Sequence, residues 1–168
     1  ETNELQPHKK DDYLTRYIPV EYHADQSCPF FIEFLNTIID NDQEVIEYIQ
    51  RAVGYSLTGV HSEEVLFFLY GTGKNGKTTF MNTIASLFGV YQQRIGINSI
   101  LQSNSERIKT EFAQLPGVRI VHTSEIPENK KLDESLVKDL TGGDPIKTRF
   151  LYKEWFEFKP VFKLWMFG

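Results

Sequence analysis

Val65-Leu66-Phe67-Phe68-Leu69-Tyr70-Gly71-Thr72-Gly73-Lys74-Asn75-Gly76-Lys77-Thr78 is the stretch on which the fold turns. Val65–Tyr70 is a continuous apolar run bounded by Gly71, which predicts a strand buried on both faces, as in a parallel sheet. The residues from Gly71 to Thr78 fit G-x-x-x-x-G-K-[ST] at every fixed position. From Lys77 to Phe88, Phe80, Ile84 and Leu87 recur at helical spacing, and Gly89 closes that helix. The pattern needs a strand before it and a helix after it, and both are present. Glycines let the backbone wrap a phosphate with its N–H groups inward. The helix N-terminus adds partial positive charge. Lys77 reaches the β- and γ-phosphates, and the Thr78 hydroxyl ligates Mg²⁺. Gly71, Thr72, Gly73, Lys74, Asn75, Gly76, Lys77, Thr78 and Thr79 are therefore the candidate binding residues for ATP and Mg²⁺. The plainer alternative is a glycine-rich turn that binds nothing.

Upstream, the pattern is helical. Pro29 suits a first helical turn, and Phe30, Phe31, Phe34, Leu35, Ile38 and Ile39 follow at helical spacing. Asn41 with Glu44 resembles a capping box for a second helix, whose apolar face is Val45, Ile46, Ile49, Ala52 and Val53 and which Gly54 ends. This hairpin is either packing scaffold or an oligomerisation surface. Residues 1–26 are polar and without sustained period, and read as a partly ordered lead-in. Downstream, Glu106–Leu115 reads as a helix stopped by Pro116, Val118–Thr123 as a strand, Asp133–Thr141 as a helix with Leu136, Val137 and Leu140 inward, and Val161–Phe167 as a last strand. Alternating strands and helices predict an α/β core with a mainly parallel sheet, preceded by a small helical region. The organisation expected is a helical region over 1–59 and a P-loop core over 60–168.

Two more sites carry chemistry. The strand at 118–123 runs into Ser124-Glu125, which places Glu125 at the carboxyl edge of the sheet, where α/β folds bind ligands. There Glu125 can activate water or hold Mg²⁺ through water. Ser124 stands where an aspartate is common, so a direct carboxylate–metal bond is not expected. Ile146–Leu151 and Trp155–Phe158 are β-prone runs flanking Tyr152-Lys153-Glu154, a hairpin pattern. Lys147, Arg149, Lys153, Lys159 and Lys163 make it basic, and Tyr152 and Trp155 supply aromatic surfaces, a combination that suits single-stranded nucleic acid. The alternative is a solvated hairpin whose aromatic rings pack on the core.

Charge distribution supports the second site. The net charge of −5 argues against nucleic acid only until it is divided along the chain. Residues 1–60 hold 4 Lys/Arg and 11 Asp/Glu, whereas 145–163 hold 5 basic and 2 acidic residues. The single cysteine, Cys28, excludes an intrachain disulfide framework, and with four scattered histidines it excludes Cys/His zinc clusters of the usual spacing. No apolar run is long enough to cross a membrane and no signal sequence opens the chain, so an intracellular, cytoplasmic setting without a membrane is expected.

Gly71–Thr78, Ile120–Glu125, Leu140-Thr141-Gly142-Gly143-Asp144 and Arg149-Phe150-Leu151-Tyr152-Lys153 together resemble the phage and plasmid primase–helicase family. These are superfamily 3 helicases related to the poxvirus primase–helicase. Cys28-Pro29-Phe30 through Gly54–Gly59 resembles the helical region preceding the ATPase, so the resemblance covers roughly residues 13–168. It implies an AAA+-like ATPase core that works on single-stranded DNA during replication, as a homo-oligomeric ring expected to be a hexamer, in the bacterial host of a phage or mobile element. It implies catalytic roles for Lys77 and Glu125. It also implies a hairpin that grips one DNA strand, for which Lys153 near the tip is the first candidate and Lys147 with Arg149 the competing one. The family places a polar sensor residue and an arginine finger after the last strand and a primase module upstream. The chain is therefore expected to bind ATP while being catalytically incomplete. Two other readings remain, a P-loop small-molecule kinase and a non-catalytic nucleotide-binding assembly module. A kinase usually shows arginines in a lid and acceptor-binding acids, whereas Gly142-Gly143-Asp144 with the basic hairpin fits DNA better.

Overall fold

The computed structural model describes residues 6–103, 110–124 and 126–168. Strands β1 (Leu66–Leu69), β2 (Gln92–Ile95), β3 (Ile120–Thr123) and β6 (Lys163–Phe167) form a parallel sheet in the order β1-β6-β3-β2. Between β3 and β6 in sequence, β4 (Ile146–Thr148) pairs antiparallel with β5 (Phe156–Phe158). Four α-helices accompany them among the described residues: α1 (Pro29–Ile38), α2 (Gln43–Leu57), α3 (Lys77–Phe88) and α4 (Glu134–Gly142). The α/β class, the parallel sheet and the preceding helical region are as expected.

Inner strands β3 and β6 are buried at every position, which is what cover on both faces produces. Successive side chains alternate between the faces. Phe67, Ile120, Trp165 and Phe167 meet Leu35, Ile46 and Ala52 of the helical hairpin and Phe80, Met81, Ile84 and Phe88 of α3. Val121, Leu164 and Met166 meet Phe112, Leu115, Leu140 and Phe162 on the opposite face. Polar contacts fix the hairpin to the sheet. Trp165 Nε1–H donates to Ser56 Oγ at 3.0 Å, and Ser56 Oγ–H donates to the Ala52 carbonyl at 2.8 Å. Lys163 Nζ donates to the Thr58 carbonyl at 3.3 Å and lies 4.3 Å from the centre of the Tyr55 ring. Burial, and secondarily the Arg119 charge, pull the Lys163 ammonium down to about 8. No described helix is long and apolar enough to cross a membrane.

Several expectations need correction. β1 is an outer strand, not one buried on both faces: Phe67 is buried, but Phe68 is 46% and Tyr70 81% exposed. An apolar run records hydrophobicity, not which neighbours a strand acquires. Leu87 of α3 is half exposed, and the buried face is Phe80, Met81, Ile84, Ala85 and Phe88. The cap of α2 is Asp42, whose carboxylate accepts from Val45 N at 3.2 Å, while Asn41 sits at φ 60° in the connecting turn. Helix α2 runs through Gly54 to Leu57, because Tyr55 and Ser56 gain their core contacts only by staying helical. Of the expected 106–115 helix, Thr110–Gln114 is 3₁₀, and residues 104–109 lie outside the described residues. Strand β2 had no apolar signal to announce it: it reads Gln-Gln-Arg-Ile and forms the other outer strand.

Candidate functional site

The four parallel strands end along one edge, and the loop after β1 rises there into α3. Gly73 and Gly76 adopt φ 84° and 83°, values that a Cβ disfavours, and Lys74 joins them at φ 49°. Gly76 is also close to the helical hairpin, since a Cβ there would come within 2.7 Å of Ile38 Cγ2 and 3.2 Å of the Phe34 ring. A side chain at position 76 would therefore displace the hairpin as well as strain the loop.

Helix α3 begins at Lys77 with Gly76 as its cap, and no side chain accepts from its first turn. Phe80 N donates to the Gly76 carbonyl at 2.8 Å, which leaves the earlier amides of the turn, those of Lys77, Thr78 and Thr79, without intrahelical acceptors. These donors and the helix dipole make an anion-binding end. Lys77 Nζ donates to the Gly71 carbonyl at 3.1 Å and to Asn75 Oδ1 at 3.0 Å. Both acceptors are neutral, and among the described residues no carboxylate pairs with the ammonium. The Thr78 and Thr79 side chains are exposed at the helix start, and Gly71, Thr72, Gly73 and Lys74 are exposed along the loop. Gly71 to Thr79 thus form one continuous surface.

Two cavities flank it. One, about 310 Å³, is an apolar groove between the helical hairpin and the outer edge of β1, lined by Ile38, Tyr48, Ile49, Phe68 and Tyr70 and reaching Asn75 and Lys77. The other, about 460 Å³, opens past Thr78 and is walled by Asn82, Arg94, His122, Ser124 and Phe167. His122 is buried, its Nε2 lies 3.2 Å from Gln92 Oε1, and among the described residues its Nδ1 has no partner. Burial, and then the charge of Arg94, pull its pKa below the ordinary histidine value. Arg94 lies in a polar segment that does not look like a strand, while Asn82 and His122 sit inside an expected helix and an expected strand with no signal that marks them as site residues. Glu125 lies outside the described residues; Ser124 before it borders the second cavity.

The basic hairpin has the expected β4–β5 ladder, in which Lys147 opposes Glu157. Lys147 Nζ lies 5.9 Å and Arg149 Cζ 4.6 Å from the centre of the Trp155 ring, so two cations lie against one aromatic ring. Tyr152 is 99% exposed and Trp155 46%, so these rings do not pack into the core. Lys153 N donates to the Phe150 carbonyl at 3.1 Å, which places Lys153 at the end of the turn and Leu151-Tyr152 at its apex. The structure brings Lys147 and Arg149 together on Trp155 and leaves exposed Lys153 at the far end of the hairpin.

Comparison with known proteins places this architecture. Residues 69–168 match the family described as "Family of unknown function (DUF5906)", and residues 1–40 match "D5 N terminal like". The protein named "Putative helicase L207/L206" of Acanthamoeba polyphaga mimivirus is 33% identical over 151 residues, which are 89% of this chain and 16% of that protein. "Putative helicase 022R" of Frog virus 3 (isolate Goorha) is 27% identical over 129 residues, 73% of this chain and 13% of that protein. The chain thus spans a small part of these curated relatives. An apo structure of the NrS-1 C-terminal region superposes with a TM-score of 0.67 at 12% identity, over 84% of this chain and 33% of that one. A second apo structure of that region gives 0.61 at 13% identity, over 84% and 34%. At such identity these two likenesses concern the fold. The chain belongs to the DUF5906 family and, by its D5-like start, its helicase-named viral relatives and its fold, to the phage and viral primase–helicase family.

Proposed function

We propose that the chain is the nucleotide-binding part of an ATP-driven DNA helicase of the superfamily 3 type, with an AAA+-like P-loop core. The observation that carries this reading is the Gly71–Thr79 surface: positive-φ glycines, a helix start without a side-chain cap and a lysine ammonium that donates to two neutral oxygens. These groups suit the β- and γ-phosphates of ATP, which would take the loop amides and Lys77 as donors. The Thr78 hydroxyl would hold Mg²⁺, with Glu125 acting on it through water. Mg²⁺ supplies charge neutralisation of the phosphates when bound. The apolar groove beside Lys77 has room for the nucleobase, with Tyr48 and Tyr70 as its aromatic walls.

Glu125 follows the buried strand β3 and takes the proton of the attacking water in this reading. The basic hairpin binds single-stranded DNA: Lys147, Arg149 and Lys153 meet phosphates, and exposed Tyr152 offers a stacking surface. A homo-oligomeric, hexameric ring supplies an arginine from the neighbouring subunit. ATP turnover by the full-length protein with and without single-stranded DNA tests the reading. We expect DNA-stimulated hydrolysis in wild type, and in Glu125→Gln retained nucleotide binding with hydrolysis lost. Hydrolysis unchanged in Glu125→Gln would move the base elsewhere. Phosphate transferred to a nucleoside or sugar instead of water would favour a kinase.

A further inference from the structure

The two cavities beside the loop differ in chemistry, and the difference gives a bound nucleotide a direction. The groove on the β1 side is walled mainly by apolar and aromatic residues. The cavity on the Thr78 side is walled mainly by polar residues and contains a cation, Arg94. A nucleotide with its base in the first and its phosphates on the loop points its last phosphate into the second.

Arg94 is on β2 and is the Cα partner of His122 on β3, so both residues share the sheet face that α3 covers. Asn82 and Thr78 reach the same cavity from α3, one turn apart. Arg94 is exposed at the cavity mouth, and among the described residues no carboxylate pairs with it. His122 is buried, with Nε2 engaged by Gln92 Oε1 and Nδ1 unpartnered among the described residues. A buried nitrogen without a partner is costly unless water or a ligand reaches it. Burial, and then the charge of Arg94, lower its pKa and favour the neutral ring; with Nε2–H donating to Gln92 Oε1, Nδ1 is an acceptor that a bound water can fill. Among the described residues that line the cavity, the charged group is the Arg94 guanidinium, with the Asn82 amide beside it.

We infer that Arg94, with Asn82 beside it, forms a subsite for a terminal phosphate dianion, through which the chain distinguishes nucleoside triphosphate from diphosphate. This rests on the nucleotide-binding reading above. The phosphate has two sources, the γ-phosphate of a bound triphosphate and free inorganic phosphate after hydrolysis, and the guanidinium fork suits either.

The test is titration calorimetry of the chain with Mg²⁺ and ATPγS, ADP or inorganic phosphate, for wild type, Arg94→Ala, Arg94→Lys and Lys77→Ala. In Arg94→Ala we expect ATPγS affinity to fall about tenfold or more, the scale of one charge-assisted contact, with ADP affinity within about twofold of wild type. Arg94→Lys should recover part of the loss, and inorganic phosphate should compete with ATPγS in wild type but not in Arg94→Ala. Lys77→Ala should weaken both nucleotides. If phosphate fails to compete in wild type while the ATPγS loss stands, the subsite belongs to the γ-phosphate. If Arg94→Ala weakens both nucleotides equally, or neither, while Lys77→Ala weakens both, the Arg94 subsite is overturned and the loop assignment survives. A change in turnover alone at unchanged affinities would also overturn it, because Arg94 would then act on another residue. If wild type binds neither nucleotide, the loop assignment and the subsite fall together.

Discussion

Lys77 and Lys153 both stand at turns open to solvent, yet the protein uses opposite means to present them. Around Lys77 the backbone does the work: Gly73 and Gly76 sit at positive φ, the first amides of α3 are uncapped, and two neutral oxygens restrain the ammonium. Around Lys153 the backbone is a short ladder and turn, and the surface is made by side chains, Lys147 and Arg149 over Trp155 with Tyr152 fully exposed beyond them. A backbone-built site tolerates few sequences and has a sharp signature. A side-chain-built surface tolerates many and is read mainly through its charge.

The largest effect should come from breaking the backbone of the first region. Gly76→Ala puts a Cβ at φ 83°, 2.7 Å from Ile38 Cγ2. Left-handed strain alone costs on the order of 1–3 kcal/mol, and the close contact adds to it. Urea unfolding should register that loss, and nucleotide binding should fall with it. The matched change in the hairpin, Tyr152→Gly at φ 60°, should leave stability unchanged or slightly raised, since glycine relaxes this conformation. Equal losses at the two positions would erase the contrast between them.

A third lysine sharpens the comparison from inside the protein. The buried Lys163 ammonium is pulled from 10.5 to about 8. Between about pH 8 and 10.5 the unfolded chain keeps the proton that the folded chain has released, so this group makes stability rise with pH across that window. Urea midpoints at about pH 7.5 and 9.5 should converge in Lys163→Met relative to wild type. An identical pH dependence in wild type and Lys163→Met would mean that Lys163 carries no such penalty.

The smallest effect belongs to the hairpin tip. Lys153→Ala should lower the salt slope of log affinity for single-stranded DNA by roughly 0.7, independent of sequence, with DNA-free turnover unchanged. Fluorescence anisotropy of the full-length protein on a labelled oligonucleotide at several salt concentrations reads it. If Arg149→Ala lowers the slope and Lys153→Ala does not, the grip lies on the Trp155 face. If neither changes it, the hairpin does not hold DNA.

How much was legible follows the same division. Helix α3 begins at Lys77 and is capped at Gly89 as the sequence predicts, because glycines with no alternative mark both ends. The hairpin could be found because turn residues separate two β-prone runs. Strand order could not be read, since Leu66–Leu69 looks the same at the edge of a sheet as in its middle. β2 escaped because Gln92, Gln93 and Arg94 are polar, and with it went the side of the cavity wall that Arg94 forms. Gly54 misled because a glycine can cap a helix or lie within one, and the choice is settled by distant partners such as Trp165 on Ser56. The role of Glu125 rests on sequence and resemblance.

Titration of Mg²⁺–ATP into wild type and Lys77→Ala by calorimetry tests the central claim most directly. Removing the ammonium that faces the phosphates should cost at least about 1.5–3 kcal/mol of binding, tenfold or more in affinity, while the fold, read by thermal unfolding, stays intact. Equal affinity in the two proteins, or no binding by a folded wild type, would contradict the assignment of Gly71–Thr79 as a phosphate-binding loop.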